Sequence, residues 1–428
     1  MNRLLVLVPR EGVDRLRGAG SHGSATFRVS GAENVGYLCA ISVKEGLTLP
    51  VEMSPRTHFL NSGDPRPSGY WYRVATDLHV AWEYGRHRNA VLPVPAFAEL
   101  VPSGFKHPGG GGGYIALTYA SNAETDHPGA GIAEFAAWLV TADGVKPLDV
   151  ACEPQVVGNA QLAPQWPVDV LAAATVTVVG AGSIGGATVH ALAEFGVGRL
   201  ILVDPDRLLW HNLVRHVSGP TQVGKMKVFA LRDDLEQLRP NTHIEPYALD
   251  VIRDADKVRP LLACSDLVVC TADGVAPRRV VSHLARRAGL DAVLACVLEN
   301  GGIGEILRLR PWPDRGCLVC QRQALTDDGA IDPEPALDAG YGTGTRHRPM
   351  TAVGSDLHLV GLLAAKAAVA TLLERAGHPD QRLPGDHGLL ALRPKPGWPP
   401  PFDVARAGEL RWLDARPPVA GCPTCEEP

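Results

Sequence analysis

The sequence has no excess of positive charge: 41 Lys and Arg are outnumbered by 46 Asp and Glu, for a formal net charge of −5. No basic field exists to hold a phosphate polymer, which excludes nucleic acid as the principal partner. Long apolar runs are also scarce. Leu4 to Val8 is too short for the core of a signal peptide, and Pro9-Arg10-Glu11 follows it, so no targeting segment is expected there. The most apolar late stretch, Leu357 to Leu373, carries His358 and Lys366 and reads as a buried helix rather than a membrane span. Nine cysteines, an odd number, do not make an extracellular disulfide framework in 428 residues. The expectation is a cytoplasmic protein that does not span a membrane. Gly and Pro are abundant (46 and 36), yet no tract is of low enough complexity to imply disorder. With 45% hydrophobic and 20% charged residues, the chain has the composition of a protein with large cores, and its length suggests two or three domains.

The pattern changes near residue 165. Upstream, short apolar segments (Leu4–Val8, Gly36–Ser42, Tyr114–Thr118) predict strands between Pro- and Gly-rich connections, including the run Gly109 to Gly113. The spacing of Ile132, Phe135, Ala136 and Leu139 predicts a helix over Gly131–Thr141. Pro154 to Pro167 reads as a linker, so residues 1–165 are expected to form a mixed α/β domain. Downstream, over 166–428, strands and helices alternate: strand Thr175–Val179, helix Ile184–Phe195, strand Arg199–Val203 and helix Lys225–Leu238. Strand Asp266–Cys270, helix Arg278–Ala288 and strands Ala292–Val297 and Gly304–Leu309 follow. Fully apolar strands in this alternation imply a doubly wound, mostly parallel sheet covered on both faces, a Rossmann-like α/β fold.

Between the first downstream strand and helix lies Gly180-Ala-Gly182-Ser183-Ile-Gly185. Glycines there permit a tight turn and a close backbone approach, and the helix N-terminus offers unpaired N–H groups to a phosphate. Asp204 ends the second strand about 20 residues later, where a carboxylate can bond a ribose hydroxyl. Taken alone, these residues suit an NAD(P)- or flavin-dependent oxidoreductase. The next stretch argues otherwise. Asp206, Asn212, Arg215 and Lys227 follow in order, and Asp273 stands at the end of a later strand. Placed cations suit a triphosphate, whose reaction builds charge on the phosphoryl oxygens, and Asp273 offers a hard oxygen to Mg²⁺. Cys317-Leu-Val-Cys320 and Cys422-Pro-Thr-Cys425 could close a tetrahedral four-cysteine zinc site, with redox chemistry as the alternative.

This ordered set resembles the ubiquitin-activating-enzyme-like adenylyltransferases of the ThiF/MoeB type, over residues from about 170 to 428. The resemblance implies an ATP-dependent enzyme. It would activate the C-terminal carboxylate of a small ubiquitin-like carrier protein or a peptide as an acyl-adenylate, releasing pyrophosphate. It implies a nucleotide set of Gly180, Gly182, Ser183, Gly185, Asp204, Asp206 and Asn212, with Asp204 on the ribose. Arg215 and Lys227 would act on the phosphates and Asp273 on Mg²⁺, these three being the catalytic residues. Zn²⁺ would sit on Cys317, Cys320, Cys422 and Cys425, and a homodimer is implied. A carboxylate is already ionised at neutral pH, so no general base is needed.

Two departures stand out. No cysteine occurs between Cys320 and Cys422, and where relatives that form a thioester carry one, this chain reads Gly342-Thr-Gly-Thr-Arg-His-Arg348. A crossover-loop thioester is therefore not expected, and the adenylate would pass to a sulfur donor or to an amine, as in peptide natural-product pathways. Cys264, Cys270 and Cys296 are expected to be buried thiols. Nor does a Lys or Arg occur between Lys146 and Arg199, where the family has an Arg-rich segment, so either the cation comes from elsewhere, with Arg346 or Arg348 as candidates, or nucleotide handling differs. In the N-terminal part, His58, His79, His87, His107 and His127 lack the spacing of a zinc isopeptidase, so a substrate-recruiting domain is the expectation. A non-catalytic adaptor that binds a carrier or peptide is the remaining alternative.

Overall fold

The computed structural model describes residues 3–44, 47–52, 64–109, 113–155, 158–239, 241–298, 301–311, 315–329 and 352–426. Residues 110–112 and the Gly342–Arg348 segment, with Arg346 and Arg348, lie outside them. The chain divides into two compact units, Met1–Val157 and Gly158–Pro428.

Unit 1 contains strands β1 (Leu5–Val8), β2 (His22–Ser30), β3 (Val35–Lys44), β4 (Leu47–Pro50), β5 (Asp64–Arg73), β6 (Tyr114–Tyr119), β7 (Phe135–Thr141) and β8 (Gly144–Cys152). Its helices are α1 (Arg10–Gly18), α2 (Thr76–Arg88), α3 (Val94–Leu100) and the single turn α4 (Ala123–Asp126). The sheet order is β1-β8-β7-β6-β5-β2-β3-β4, and β1 also pairs with the first residues of β3, Val35 to Tyr37. That second pairing closes the sheet into a barrel and removes the free edge of β1. Successive side chains then separate into two cores. Val6, Phe27, Leu38, Trp71, Leu117, Ala137 and Leu148 come from every strand of the closed ring, so they fill its inner face. Tyr72, Ala116, Trp138 and Val140 are the alternate residues, and they pack with Leu78 and Trp82 of α2 and Phe97 of α3.

The helix expected over Gly131–Thr141 is corrected by this arrangement, because the segment contains strand β7, paired on both sides with β6 and β8. Phe135 and Ala137 face the barrel interior while Ala136, Trp138 and Val140 face the helices. A strand buried on both faces has no polar alternation, and its continuous apolar run mimics helical spacing. His79 of α2 is fully buried. Its Nδ1 donates to the Ala133 carbonyl at 2.6 Å and its Nε2 accepts from the Thr118 hydroxyl at 2.9 Å. Burial pushes its pKa down to about 4, so it is a neutral core residue.

In unit 2 the strands are β9 (Thr175–Val179), β10 (Arg199–Val203), β11 (His243–Tyr247), β12 (Leu267–Cys270), β13 (Asp291–Leu298), β14 (Ile303–Leu309), β15 (His387–Ala391) and β16 (Leu410–Leu413). The helices are α5 (Val168–Ala173), α6 (Ser183–Phe195), α7 (Lys227–Leu238), α8 (Ala255–Ala263), α9 (Val275–Arg287), α10 (Leu318–Asp327) and α11 (Gly354–Arg375). The sheet runs β11-β10-β9-β12-β13-β14-β15-β16, parallel from β11 to β13 and antiparallel from there to β16. Parallel strands flanked by helices make it the Rossmann-like α/β fold. Val178, Leu202 and Val269 belong to the core that includes α6 and α11, while Val179, Val203 and Val268 belong to the core on the opposite face.

The helix α11 is long and apolar enough to cross a membrane, with a mean hydropathy of 1.6 over 18 residues, but 67% of that window is buried within the protein. Its small residues explain the burial. A Cβ on Gly361 would lie 2.5 Å from the Ile184 carbonyl oxygen, so α11 and α6 approach backbone to backbone. Thr188 Oγ1 donates to Gly361 O at 3.1 Å across that contact.

Candidate nucleotide crevice and cysteine cluster

Chain order changes direction at β9, because β10 and β11 lie to one side of it and β12 and β13 to the other. A ligand crevice opens beyond the carboxyl ends of the strands at such a switch point. The Gly180–Gly185 loop sits there, and its glycines have different reasons to be glycine. Gly180 has φ +96°, and a Cβ on it would lie 2.5 Å from the Ala272 nitrogen. A Cβ on Gly185 would meet the Gly180 oxygen at 1.9 Å. These two are fixed by packing. At Gly182 an added Cβ would meet nothing within 4 Å, so the protein leaves open space beside the start of α6. Helix geometry leaves the first N–H groups of α6 without intrahelical acceptors, the first such bond outside the helix proper being Gly186 N–H to Gly182 O at 2.7 Å.

Neighbouring segments turn the loop carbonyls away from that space. Thr271 Oγ1 donates to Gly180 O at 2.7 Å, and His216 Nε2 donates to Ala181 O at 2.9 Å. Asp204, buried at the end of β10, accepts the Ala181 N–H on Oδ2 at 2.7 Å and the Asp206 N–H on Oδ1 at 2.8 Å. Burial pushes its carboxyl upward against the opposing pull of Lys227. Lys227 opens α7, and its Nζ donates to Asp206 Oδ2 at 2.8 Å. Burial disfavours this ammonium, but Asp204, Asp206 and Asp273 together outweigh it and hold its pKa above the ordinary value. The fold thus brings Asp204, Asp206, Lys227 and Asp273 into one electrostatic group.

Asn212 is buried in the turn that follows, its Oδ1 accepting the Leu209 N–H at 2.8 Å and its carbonyl accepting the N–H groups of Arg215 and His216. Arg215 is half-buried, and its carbonyl accepts from His358 Nε2 of α11 at 2.7 Å. Ser183 is half-buried in the first turn of α6, and Asp273 is exposed after β12. His216 borders the candidate crevice, and motif spacing does not single it out. Its only sequence signal is its position directly after Arg215, and its contact with residue 181 is one that no local pattern encodes.

The two cysteine pairs converge across 105 residues of sequence. Cys317 Sγ lies 3.8 Å from Cys320 Sγ and 3.6 Å from Cys422 Sγ, and Cys320 Sγ lies 3.7 Å from Cys425 Sγ. A tetrahedral site with Zn–S bonds of about 2.3 Å has sulfur–sulfur edges of about 3.8 Å, so the cluster fits zinc. Backbone N–H groups of Cys317 and Val419 point at the sulfurs of Cys425 and Cys320, both at 3.3 Å. The Gln321 side chain fixes the returning chain segment, donating to Arg416 O at 2.8 Å and accepting the Arg416 N–H at 2.9 Å.

Of the other thiols in this unit, Cys270 is buried and burial pushes it up to about 11. Cys296 receives Arg278 Nη1 at 3.1 Å, and burial pushes it up to about 12. Cys264 departs from expectation. It is exposed, because it follows the last turn of α8 at the surface rather than joining β12.

A model of the ThiF family matches residues 158–385, more than half of the chain. The chain belongs to the ThiF family. It is 30% identical over 155 residues to ubiquitin-like modifier-activating enzyme 5 of Drosophila virilis, covering 34% of this chain and 38% of that protein. It is 29% identical over 214 residues to the SAMP-activating enzyme E1 of Haloferax volcanii, covering 50% of this chain and 72% of that one. The chain therefore spans well under half of the Drosophila relative. Among solved structures, E. coli MccB with ATP matches with a TM-score of 0.44 and 20% identity, covering 60% of this chain and 68% of that one.

Proposed function

We propose that this protein is an ATP-dependent adenylyltransferase that activates the C-terminal carboxylate of a small ubiquitin-like protein or a peptide. One observation carries the reading: a glycine loop whose carbonyls are turned inward faces a crevice that also holds Lys227 among three carboxylates. In the reaction, a carboxylate oxygen attacks the α-phosphorus of ATP, the bond to the bridging β-phosphoryl oxygen breaks, and pyrophosphate leaves. No proton needs to move. The chain's work is orientation and charge neutralisation. In this reading the Gly182 and Ser183 end of α6 receives phosphate oxygens, Lys227 and Arg215 counter the growing charge, and Asn212 fixes the turn that carries Arg215. Both Asp204 oxygens already hold backbone N–H groups, but a carboxylate has further lone pairs and can still accept a ribose hydroxyl beside Asp206. Asp273, with Asp206 beside it, would supply hard oxygens suited to Mg²⁺, whose chemistry would be charge neutralisation on the phosphates. The four cysteines would hold a structural zinc, since they leave no ligand position open.

No cysteine lies between Cys320 and Cys422, so the proposed reaction proceeds without a crossover-loop thioester, and we favour capture of the adenylate by an amine. A homodimer belongs to the same reading. What supports it is the exposure of Trp210 (77%) and Val214 (82%) beside Arg215, together with exposed Val353, Leu359 and Leu362 on and before α11. Gly354 of that helix packs against Val214 and Arg215. Pyrophosphate exchange into ATP, measured with Mg²⁺ and each ubiquitin-like protein or short peptide encoded beside this gene, tests the reading. Exchange that depends on one of them is expected, and no exchange with any would overturn it.

A further inference from the structure

The loop residue Ala181 is held at both ends by a single neighbouring segment. Its N–H goes to Asp204 and its C=O receives Nε2 of His216. The residue after it, Gly182, is the cap of α6, with φ −78° and ψ −156° and open space where a side chain would stand. A peptide plane next to glycine turns over at little cost, since no Cβ resists the rotation. If the Ala181–Gly182 plane turned over, the Gly182 N–H would leave the crevice and the Ala181 carbonyl oxygen would enter it. A phosphate would then meet a repelling oxygen in place of a donor.

We infer that His216 is a positioning residue for nucleotide binding, locking the Ala181–Gly182 peptide so that the Gly182 N–H faces the anion. The inference rests on the nucleotide reading of the crevice given above. The geometry supports a lock rather than a general packing role. The imidazole is buried, its Nδ1 accepts the Ser218 N–H at 3.0 Å, and this acceptance obliges Nε2 to carry the proton that Ala181 O receives. Burial also keeps the ring neutral, so the tautomer is unambiguous. A second coupling follows from sequence adjacency. Arg215 precedes His216, and its own carbonyl is bonded by His358, so the beginning of α11, the Arg215 turn and the glycine loop form one bonded chain.

Three forms of the full chain decide the matter: the parent and the two variants His216→Ala and His216→Gln. A glutamine amide can donate to Ala181 O and accept from Ser218 N–H, whereas alanine can do neither. Titration calorimetry with Mg-ATP should show His216→Ala binding about tenfold more weakly, the factor for one lost oriented hydrogen bond, with most of the loss restored in His216→Gln. In steady state the KM for ATP should rise by that factor while kcat and the KM for the carboxylate substrate stay put. Long-range proton–nitrogen NMR of the parent should report the neutral Nε2–H tautomer, a readout that needs no nucleotide. The inference is overturned if folded His216→Ala binds ATP as the parent does, if glutamine rescues nothing, or if the ring proton sits on Nδ1. Should both variants fail to fold, the parent's tautomer decides. A parent chain that binds no ATP, with the Nε2–H tautomer intact, would overturn the nucleotide reading and this inference with it, whereas a parent that binds ATP confines failure to His216.

Discussion

Each unit buries a fully bonded histidine, but the two are bonded to different kinds of group. In unit 1, His79 is enclosed by Ala133 and Thr118, and both its ring nitrogens are consumed by core groups. In unit 2, His216 is just as fully bonded, but its partner is the loop that borders the crevice, and next to it Asp206, Lys227 and Asp273 form a charged group at the carboxyl ends of the strands. The same chemistry, a neutral imidazole with two satisfied nitrogens, closes a core in one unit and holds a loop at the carboxyl ends of the strands in the other. Burial and bonding are therefore alike in the two histidines, and they differ in the group at the other end of the hydrogen bond: a core carbonyl and hydroxyl for His79, the glycine-loop carbonyl of Ala181 for His216.

The largest effect is expected at the four-cysteine cluster, whose like unit 1 does not contain among its described residues. Cys317→Ser should abolish binding of about one zinc per chain and lower the unfolding midpoint of the ThiF unit strongly, since structural zinc sites supply roughly 10 kcal/mol or more of folding free energy. Metal analysis with a thermal melt checks this, and a metal-free parent of equal stability would contradict it. Next comes Trp138→Ala in unit 1. It empties a fully buried ring between β7 and α3 and should cost about 3–5 kcal/mol in chemical denaturation. Lys227→Ala should leave the fold in place yet slow pyrophosphate exchange by about 10²–10³, the effect of removing one oriented charge-stabilising donor.

A pH series sharpens the comparison further. His79 and His216 are each held near a pKa of about 4, below the unfolded value of about 6.5. Above pH 6.5 neither state binds the proton. As pH falls from 6.5 toward 4 the unfolded chain takes it up first, so each histidine should remove about 2–3 kcal/mol of stability by pH 4.5. Denaturant midpoints from pH 7.5 to 4.5 should show the loss, and His79→Gln should flatten the curve for unit 1 alone. The smallest effect on stability is expected at the open glycine. Gly182→Ala should change stability by about 0.5 kcal/mol or less while weakening ATP binding, because its Cβ meets only the ligand's space. The reverse outcome, lost stability with ATP affinity retained, would remove the crevice from that side of α6.

The parallel core of unit 2 was legible because its strands are uniformly apolar and its turns carry glycine, signals that depend on neighbours in sequence. Thr175–Val179 and Arg199–Val203 stand as strands with the bounds their composition suggests. The order of Gly180, Asp204, Arg215, Lys227 and Asp273 could be read for the same reason. What could not be read depends on distant partners. Closure of the unit 1 barrel needs Leu5 to pair with both Val35 and Asp149. The helical spacing over Phe135–Thr141 is an accident of a strand buried on both faces. Strand β11 and helix α8 carry polar residues and a proline within their spans, which mask their periodicity. His216 carries no local signal because the contact that places it beside the loop is to residue 181, distant in sequence.

Viewed as polymer topology, a zinc ion on the cysteine cluster would tie a ring of chain, since Cys317 and Cys422 are 105 residues apart. The closure entropy of so long a ring depends only weakly on its length, and each doubling costs about 0.6 kcal/mol. Adding or deleting some 20 residues between Cys320 and α11 would change that closure by only about 0.2 kcal/mol. Segment 330–351 lies in that interval, next in sequence to the helix that bonds the Arg215 turn. The closure entropy of such a ring therefore sets almost no limit on how many residues stand between Cys320 and α11, while the contacts of α11 with α6 and with the Arg215 turn lie beyond that interval and do not depend on its length.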